Sequence, residues 1–299
     1  MMELLHTAQR EAKLLSILRQ ELGMSSTLVK RLKYCGAYTV NGHTVFTNYP
    51  VKIGDQIRVR LDEPTPDYPA EDAPLDILYE DAALIALDKP AGMLMHPSSA
   101  RNTGTLANRL TAYYRRTAQP CAVHPVSRLD RDTFGVVLLA KNSHYHARMN
   151  ALAKAGRIEK TYRAAVFGAP EADEGCIELP IARVEGESLL RCIRDDGKPS
   201  RTEFRVLERR GGCALLELHP LTGRTHQLRL HCAHMGFPIL GDPQYASAEA
   251  LDFSRRFGLT HQQLCAVRLR FPHPVAEKTL EILSKQEVSL DFLDTPVLQ

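Results

Sequence analysis

The stretch from Val123 to Asn142, VHPVSRLDRDTFGVVLLAKN, constrains the chain more than any other, because a charged polar segment runs straight into an unbroken apolar one. Val136, Val137, Leu138, Leu139 and Ala140 follow one another without a polar residue, the pattern of a strand covered on both faces. Gly135 can take positive φ where the loop turns into that strand. Asp130 therefore stands at the edge of a core, between Arg128 and Arg131 in sequence. A carboxylate so placed is either a structural ion pair or a nucleophile or base kept ionised by a guanidinium.

Length and composition bound the rest. A chain of 299 residues exceeds the usual single domain, so one large domain with a smaller one is expected. The 44% hydrophobic and 24% charged content is that of an ordinary globular protein, and no run of eighteen apolar residues could cross a membrane. The opening MMELLHTAQREAK lacks the apolar segment of a signal peptide. Seven scattered cysteines without a C-x-x-C argue against a disulfide framework and a zinc ribbon, and read as reduced cytoplasmic thiols. The net charge is only +3, but residues 1–62 carry nine Lys/Arg against five Asp/Glu, a local excess of +4. That concentration suggests a face toward a polyanion, with a solvated helix face as the plainer alternative.

In chain order, Leu14, Leu15, Leu18 and Leu22 fall at helical spacing, with Gly23 placed to end the helix. A second helix, capped by Ser25 or Ser26, turns Leu28, Val29 and Leu32 inward and leaves Lys30, Arg31 and Lys33 elsewhere on its surface. YTVNGHTVF reads as a hairpin about Asn41-Gly42, and GDQIRVRL as a half-buried strand. The stretch 63–76, rich in proline and acidic residues, reads as a stiff linker whose charge keeps it off a polyanion and leaves the units on either side separately mobile. Beyond it, 77–299 forms one domain. Leu84 to Leu87 read as a strand, and Lys89-Pro90 with Gly92 as a turn. His96 is a candidate for a cleft wall. Ser143 can cap a helix that stops at Gly156, and the following strand places Lys160, Tyr162, Ala164 and Val166 on one face. Two strands then meet at Gly211-Gly212, before a helix from near Thr225 to Met235 with Thr222-Gly223-Arg224 at its N-terminal end. His219, His226, His231 and His234 match no metal-site spacing.

RLDRDTFG followed by VVLLAKN resembles the signature of the RluA-type pseudouridine synthases, which isomerise uridine within structured RNA. Lys-Pro-x-Gly at 89–92, E-K-x-Y at 159–162, L-x-P-x-T-G-R-T-H-Q-x-R-x-H from Leu218 and G-x-P-I-x-G-D-x-x-Y from Gly236 extend the likeness in order. Two positions depart from it: Ser127 stands where His is usual, and Phe134 where Ser is usual. The resemblance implies an α/β fold, with a mixed, mainly antiparallel sheet and flanking helices, beside a small α+β module. It assigns Asp130 as the catalytic acid residue, Arg128 as the residue that enters the RNA stack, Tyr162 as the ring stacked on uracil and Arg224 as the partner of Asp130. Residues 1–62 resemble an RNA-binding module first known from a ribosomal protein, whose Lys30, Arg31 and Lys33 would grip phosphates without reading sequence. The expected partner is ribosomal or transfer RNA, acted on by a cytoplasmic monomer with neither metal nor cofactor. A non-catalytic RNA-binding or ribosome-assembly protein, or an RNA N-glycosidase, would fit parts of the same pattern.

Overall fold

Two helices form in the first thirty-two residues as their spacing suggests, although Leu15 is exposed and Leu22 lies beyond the end of the first. In this computed structural model, which describes residues 2–61, 68–98, 101–119, 121–187 and 190–295, β1 (Met2–Thr7) and β2 (Ala12–Lys13) lead into α1 (Leu14–Gln20) and α2 (Ser26–Leu32). Leu14, Ile17 and Leu18 line the inner side of α1; Ser25 caps α2 by accepting the Leu28 N–H at 3.1 Å. Asn41 and Gly42 both take positive φ, 49° and 83°, as a two-residue hairpin requires, and they join β3 (Tyr38–Val40) to β4 (His43–Thr44). After β5 (Pro50–Val51), which pairs with β2, β6 (Gln56–Leu61) buries Ile57, Val59 and Leu61 and becomes the centre of a β1-β6-β3-β4 sheet. The partner it takes in β1 is one that local pattern did not announce.

The rest of the chain builds one large sheet. Its first strands are β7 (Ile77–Glu80) and β8 (Leu84–Lys89), followed by α3 (Leu106–Arg116), β9 (His124–Pro125) and β10 (Phe134–Ala140). Next come α4 (Ser143–Lys154), β11 (Glu159–Phe167), β12 (Glu174–Glu178) and a small hairpin of β13 (Ile181–Arg183) and β14 (Arg191–Ile193). The chain continues through β15 (Arg201–Arg210), β16 (Cys213–Pro220), α5 (Gln227–His234), α6 (Ala248–Arg256), β17 (Leu264–Pro272) and β18 (Thr279–Leu283). Strand order is β12-β15-β16-β11-β17-β10-β8-β7, with β9 on β10 and β18 on β17. Every pairing is antiparallel except that of β10 with β17, where Phe134 and Gly135 face Cys265 and Ala266. The mixed, mainly antiparallel sheet with flanking helices is thus present.

Period two divides β10 and β8 between two layers. Ile85, Leu87, Val137 and Leu139 pack with Leu106, Ala107 and Leu110 of α3 and with Leu129; Ala164, Val166 and Leu216 continue that side onto Leu228 and Cys232 of α5, and Tyr162 touches both clusters. Leu84, Ala86, Val136, Leu138 and Ala140 face the other way, onto Tyr145 and Met149 of α4.

Two expectations about the N-terminal third are corrected. The module does not stand apart, because its core residues Leu14, Leu18, Leu28 and Val59 belong to the same continuous apolar cluster as Leu138, Tyr145 and Met149. Arg31 Nη2 donates to Ser143 Oγ at 3.1 Å, and the Arg148 guanidinium lies 4.0 Å from where a Cβ on Gly23 would sit, so the turn between α1 and α2 rests against α4. Nor does the acidic stretch stand free as a linker over 68–76; its first part, 62–67, lies outside the described residues. Pro69 O accepts from Asn108 Nδ2 at 2.8 Å, Glu71 Oε2 accepts the Gly104 N–H at 2.7 Å and Pro74 O accepts from Arg109 at 3.2 Å. Backbone polar groups that proline-rich chain cannot pair within itself are taken up by α3 and its cap.

Candidate active site

Asp130 lies in the loop that carries β9 into β10, and three local features fix that loop. Ser127 Oγ accepts the Leu138 N–H at 3.0 Å, Leu129 is buried against α3, and Thr133 Oγ1 accepts from Gln262 Nε2. The departures from the usual family residues are therefore structurally employed: Ser127 ties the loop back to β10, and Phe134 packs edge-on to His261 with ring centres 5.7 Å apart. Gly135 has φ +101°, and a Cβ there would come within 2.4 Å of Ala266 O, so only glycine lets the loop enter the β10–β17 seam.

Lys89 holds the loop from beneath. Fully buried, it donates from Nζ to Pro90 O at 3.0 Å, Met93 O at 2.9 Å and Arg131 O at 2.9 Å, one acceptor for each ammonium proton. Burial pushes its pKa down to about 7, against the pull of Asp132 and Asp130. The Lys-Pro-x-Gly segment is thus a turn whose lysine also reaches 42 residues along the chain to the catalytic-loop candidate.

The Asp130 carboxylate, about a third exposed, receives Arg229 Nη1 at 3.2 Å on Oδ2, with His226 Nε2 3.7 Å from the same oxygen. The other edge of the Arg229 guanidinium closes on Asp242 through Nε and Nη2, both at 2.7 Å, and Nη2 also reaches Gln244 Oε1 at 2.7 Å. The guanidinium carbon lies 4.9 Å from the centre of the Tyr245 ring. Burial works against the charge of Arg229, but Asp242 and Asp130 overcome it and raise its pKa. Arg229 is therefore a fixed cation, and its remaining arm is offered to Asp130.

His226 takes a left-handed backbone, φ 58° and ψ 19°, at the N-cap of α5, which swings its ring toward Asp130. Tyr245 Oη already accepts the Arg191 N–H at 3.1 Å, which leaves its own proton for His226 Nδ1 at 2.7 Å. With Nδ1 an acceptor, the neutral ring carries its proton on Nε2, the nitrogen that faces Asp130. Burial lowers the His226 pKa; Asp130 opposes this, while Arg229 and Arg191 add to it.

The structure brings Tyr162 to Asp130 and does not bring Arg224 there. Tyr162 is partly buried between the clusters of α3 and α5; burial first, and Asp130 second, raise the pKa of its phenol. Arg224 is corrected as the partner of Asp130. It is exposed, and its Nε donates to Pro199 O at 3.1 Å, because the left-handed turn at His226 starts α5 only at Gln227 and directs the preceding loop outward. The inward guanidinium is that of Arg229, five residues on. Its sequence signal was an arginine between Leu228 and Leu230 in a helix, which can be buried only with a carboxylate, and Asp242 of the G-D-x-x-Y segment supplies it. Arg131 pairs with Asp132 at 2.7 Å rather than with Asp130, and Arg128 is exposed on the same loop. Lys30 and Arg31 are exposed on α2, and Lys33 is exposed at its C-cap. His231, buried, bonds Thr202 Oγ1 at 3.0 Å and Ser200 Oγ at 2.9 Å, and His219 lies 3.2 Å from Glu217.

Known proteins carry the same arrangement of sequence and fold. The sequence pattern of the family described as RNA pseudouridylate synthase matches residues 83–234. The RNA pseudouridine synthase YlyB of Bacillus subtilis is 37% identical over 257 residues, 84% of this chain and 82% of the relative. The ribosomal large subunit pseudouridine synthase C of Vibrio cholerae is 32% identical over 296 residues, 95% of this chain and 92% of the relative. Among solved structures, human RNA pseudouridylate synthase domain containing 1 superposes with a TM-score of 0.58 at 25% identity, over 77% of this chain and 99% of that one. The loop that presents a carboxylate beside a buried arginine thus lies within the matched region, and the chain belongs to the RNA pseudouridine synthase family, enzymes that isomerise uridine in RNA.

Proposed function

We propose that Asp130 performs the isomerisation, acting on a uridine flipped out of a structured RNA into the space between the Asp130 loop, Tyr162 and His226. The observation that carries this reading is a partly open carboxylate backed by a buried arginine whose charge is itself fixed by Asp242. Such an acid is held in one orientation, as a nucleophile or base toward the sugar or pyrimidine must be. The reaction breaks the bond from C1′ to N1 and joins C1′ to C5; the proton lost from C5 is balanced by one gained at N1. No electrons are exchanged, so the chemistry requires no redox cofactor. Tyr162 would stack on the detached uracil, keeping it in place while it turns, and exposed Arg128 would occupy the gap left in the RNA stack. Lys30 and Arg31 of α2, with Lys33 at its C-cap, would hold phosphates of the same RNA.

Ribosomal RNA is the first substrate to test, since the Vibrio cholerae relative named for the large ribosomal subunit aligns with nearly the whole chain. Unmodified ribosomal and transfer RNA transcripts would be incubated with the protein, digested, and analysed for pseudouridine and free uracil. Pseudouridine is the expected product. Free uracil would identify an N-glycosidase instead, and neither product, with RNA bound, a non-catalytic binder.

A further inference from the structure

Among the described residues, Lys160 is a cation without a counter-charge. It stands on β11 two residues before Tyr162, and period-two alternation puts both side chains on the face that receives α5 and the Asp130 loop. Glu159, its neighbour, points to the opposite side and is taken by Arg270 at 3.1 Å. The Lys160 side chain is half-buried, yet among the described residues no hydrogen bond or ion pair reaches its ammonium, and burial alone lowers its pKa. What lies beside it is the turn before α5: a Cβ on Gly223 would sit 4.0 Å from Lys160 Nζ. Gly223 is exposed, has no side chain to cover the ammonium, and is followed by exposed Arg224. A half-buried ammonium with no carboxylate is costly, and the cost is offset when a ligand brings the anion.

We propose that Lys160, with the open Gly223 turn beside it, forms a subsite for one backbone phosphodiester of the RNA, on the same strand face that presents Tyr162. The subsite deepens the reading given above, since it takes RNA as the occupant of the cleft. Two residues along a strand span roughly 6.6 Å, so a phosphate at Lys160 and a base at Tyr162 would belong to the target nucleotide or its immediate neighbour. Lys160 thereby sets how far the flipped nucleotide enters, and Arg224, freed from Asp130, lies on the turn that flanks that phosphate.

The test couples the residue to the phosphate. Uridine-containing hairpins tiling large-subunit ribosomal RNA serve as the probe, and the tightest binder is resynthesised with one neutral methylphosphonate linkage at a time. Binding to the full chain is measured over a range of salt for the parent, Lys160→Met and Lys160→Arg. One linkage adjoining a single uridine is expected to weaken parent binding about tenfold, the scale of one charge-assisted hydrogen bond. In Lys160→Met that same linkage should cost nothing further, and the slope of log affinity against log salt should fall by about 1. Lys160→Arg should restore both the slope and the sensitivity to the linkage, which a merely structural lysine would not. The proposal is overturned if every linkage costs Lys160→Met what it costs the parent, or if no hairpin binds. Pseudouridine formation is scored on the same hairpins: coupling without product would sink the catalytic reading and uphold the subsite, whereas product without coupling would do the reverse.

Discussion

Arg229 Nη1 lies 3.2 Å from Asp130 Oδ2, while the opposite edge of the same guanidinium closes on Asp242 with two bonds of 2.7 Å. One buried arginine thus serves as the counter-ion of Asp130 and, among the described residues, as the only ion-pair partner of a carboxylate that is 1% exposed.

Removing that arginine should injure both roles. Asp130→Asn keeps the shape of the loop and is expected to abolish pseudouridine formation while RNA binding survives, because phosphate contacts supply most of the affinity. Arg229→Met is expected to lose the chemical step as well and to destabilise the fold by about 3–5 kcal/mol, since Asp242 is left buried without its cation. Arg224→Met, by contrast, should retain the saturated single-turnover rate. A loss in Arg224→Met as deep as that in Asp130→Asn would contradict the arrangement described above.

Lys89 gives a pH signature of known sign. Its folded pKa is depressed to about 7, while the unfolded chain keeps the ordinary value near 10.5, so between these limits the unfolded state binds more protons. Stability conferred by this group therefore rises with pH across that window, by up to about 1.4 kcal/mol per unit. Denaturant titrations of the parent and Lys89→Met from pH 7 to 9 should show the parent gaining on the variant. Parallel curves would mean that the ammonium is not released in the folded state. At pH 7, loss of the lysine's bond to Arg131 O should also loosen the Asp130 loop and slow the chemical step.

Gly135→Ala should fail for a reason unconnected with chemistry. Its Cβ would meet Ala266 O at 2.4 Å with φ at +101°, in the only parallel pairing of the described sheet. Backbone of that conformation costs a side-chain-bearing residue on the order of 1–3 kcal/mol before any clash is relieved. The expected outcome is a lower unfolding midpoint, and an alanine variant as stable as the parent would show that the seam yields easily.

Deleting residues 1–61 should not release an intact catalytic domain. The cluster that holds Leu14, Leu18 and Leu28 also holds Leu138, Tyr145 and Met149, so the cut exposes apolar surface on α4 worth roughly 25 cal/mol per Å². We expect the shortened chain to bind hydrophobic dyes and aggregate, and the full chain to unfold in one transition when followed by two probes. A soluble truncated protein with the parent's saturated rate would show that the two sheets are independent after all.

Much of the architecture was legible wherever pattern is local. The Asn41-Gly42 hairpin, the alternation of Ile57, Val59 and Leu61, and the unbroken run of β10 are all written within a few residues. The pairing of β1 with β6 joins residues 49 to 59 positions apart, and no periodicity in MMELLHT names its partner. The same limit applies to the site. Asp130 and Tyr162 could be singled out from motifs, but whether Arg224 or Arg229 meets the carboxylate depends on where α5 starts and which of its sides turns inward. That is decided by the left-handed turn at His226, a conformation that histidine does not advertise. The acidic proline-rich stretch misled because composition describes what a segment can pair within itself, whereas 68–76 finds its partners on α3.

The docking of the α1–α2 turn on α4 makes the protein a caliper rather than a tether. Two binding surfaces joined by a slack chain would sample many separations, and any RNA with both features somewhere along its length could satisfy them in turn. Here the gap between the lysines of α2 and the Asp130 loop is a fixed dimension of the molecule, set by packed side chains. If both surfaces take RNA as proposed, that RNA would have to offer its phosphates and its uridine at that one separation simultaneously. Selectivity of this kind would reside in the fold of the RNA, and would need no base to be read except the one that is turned out.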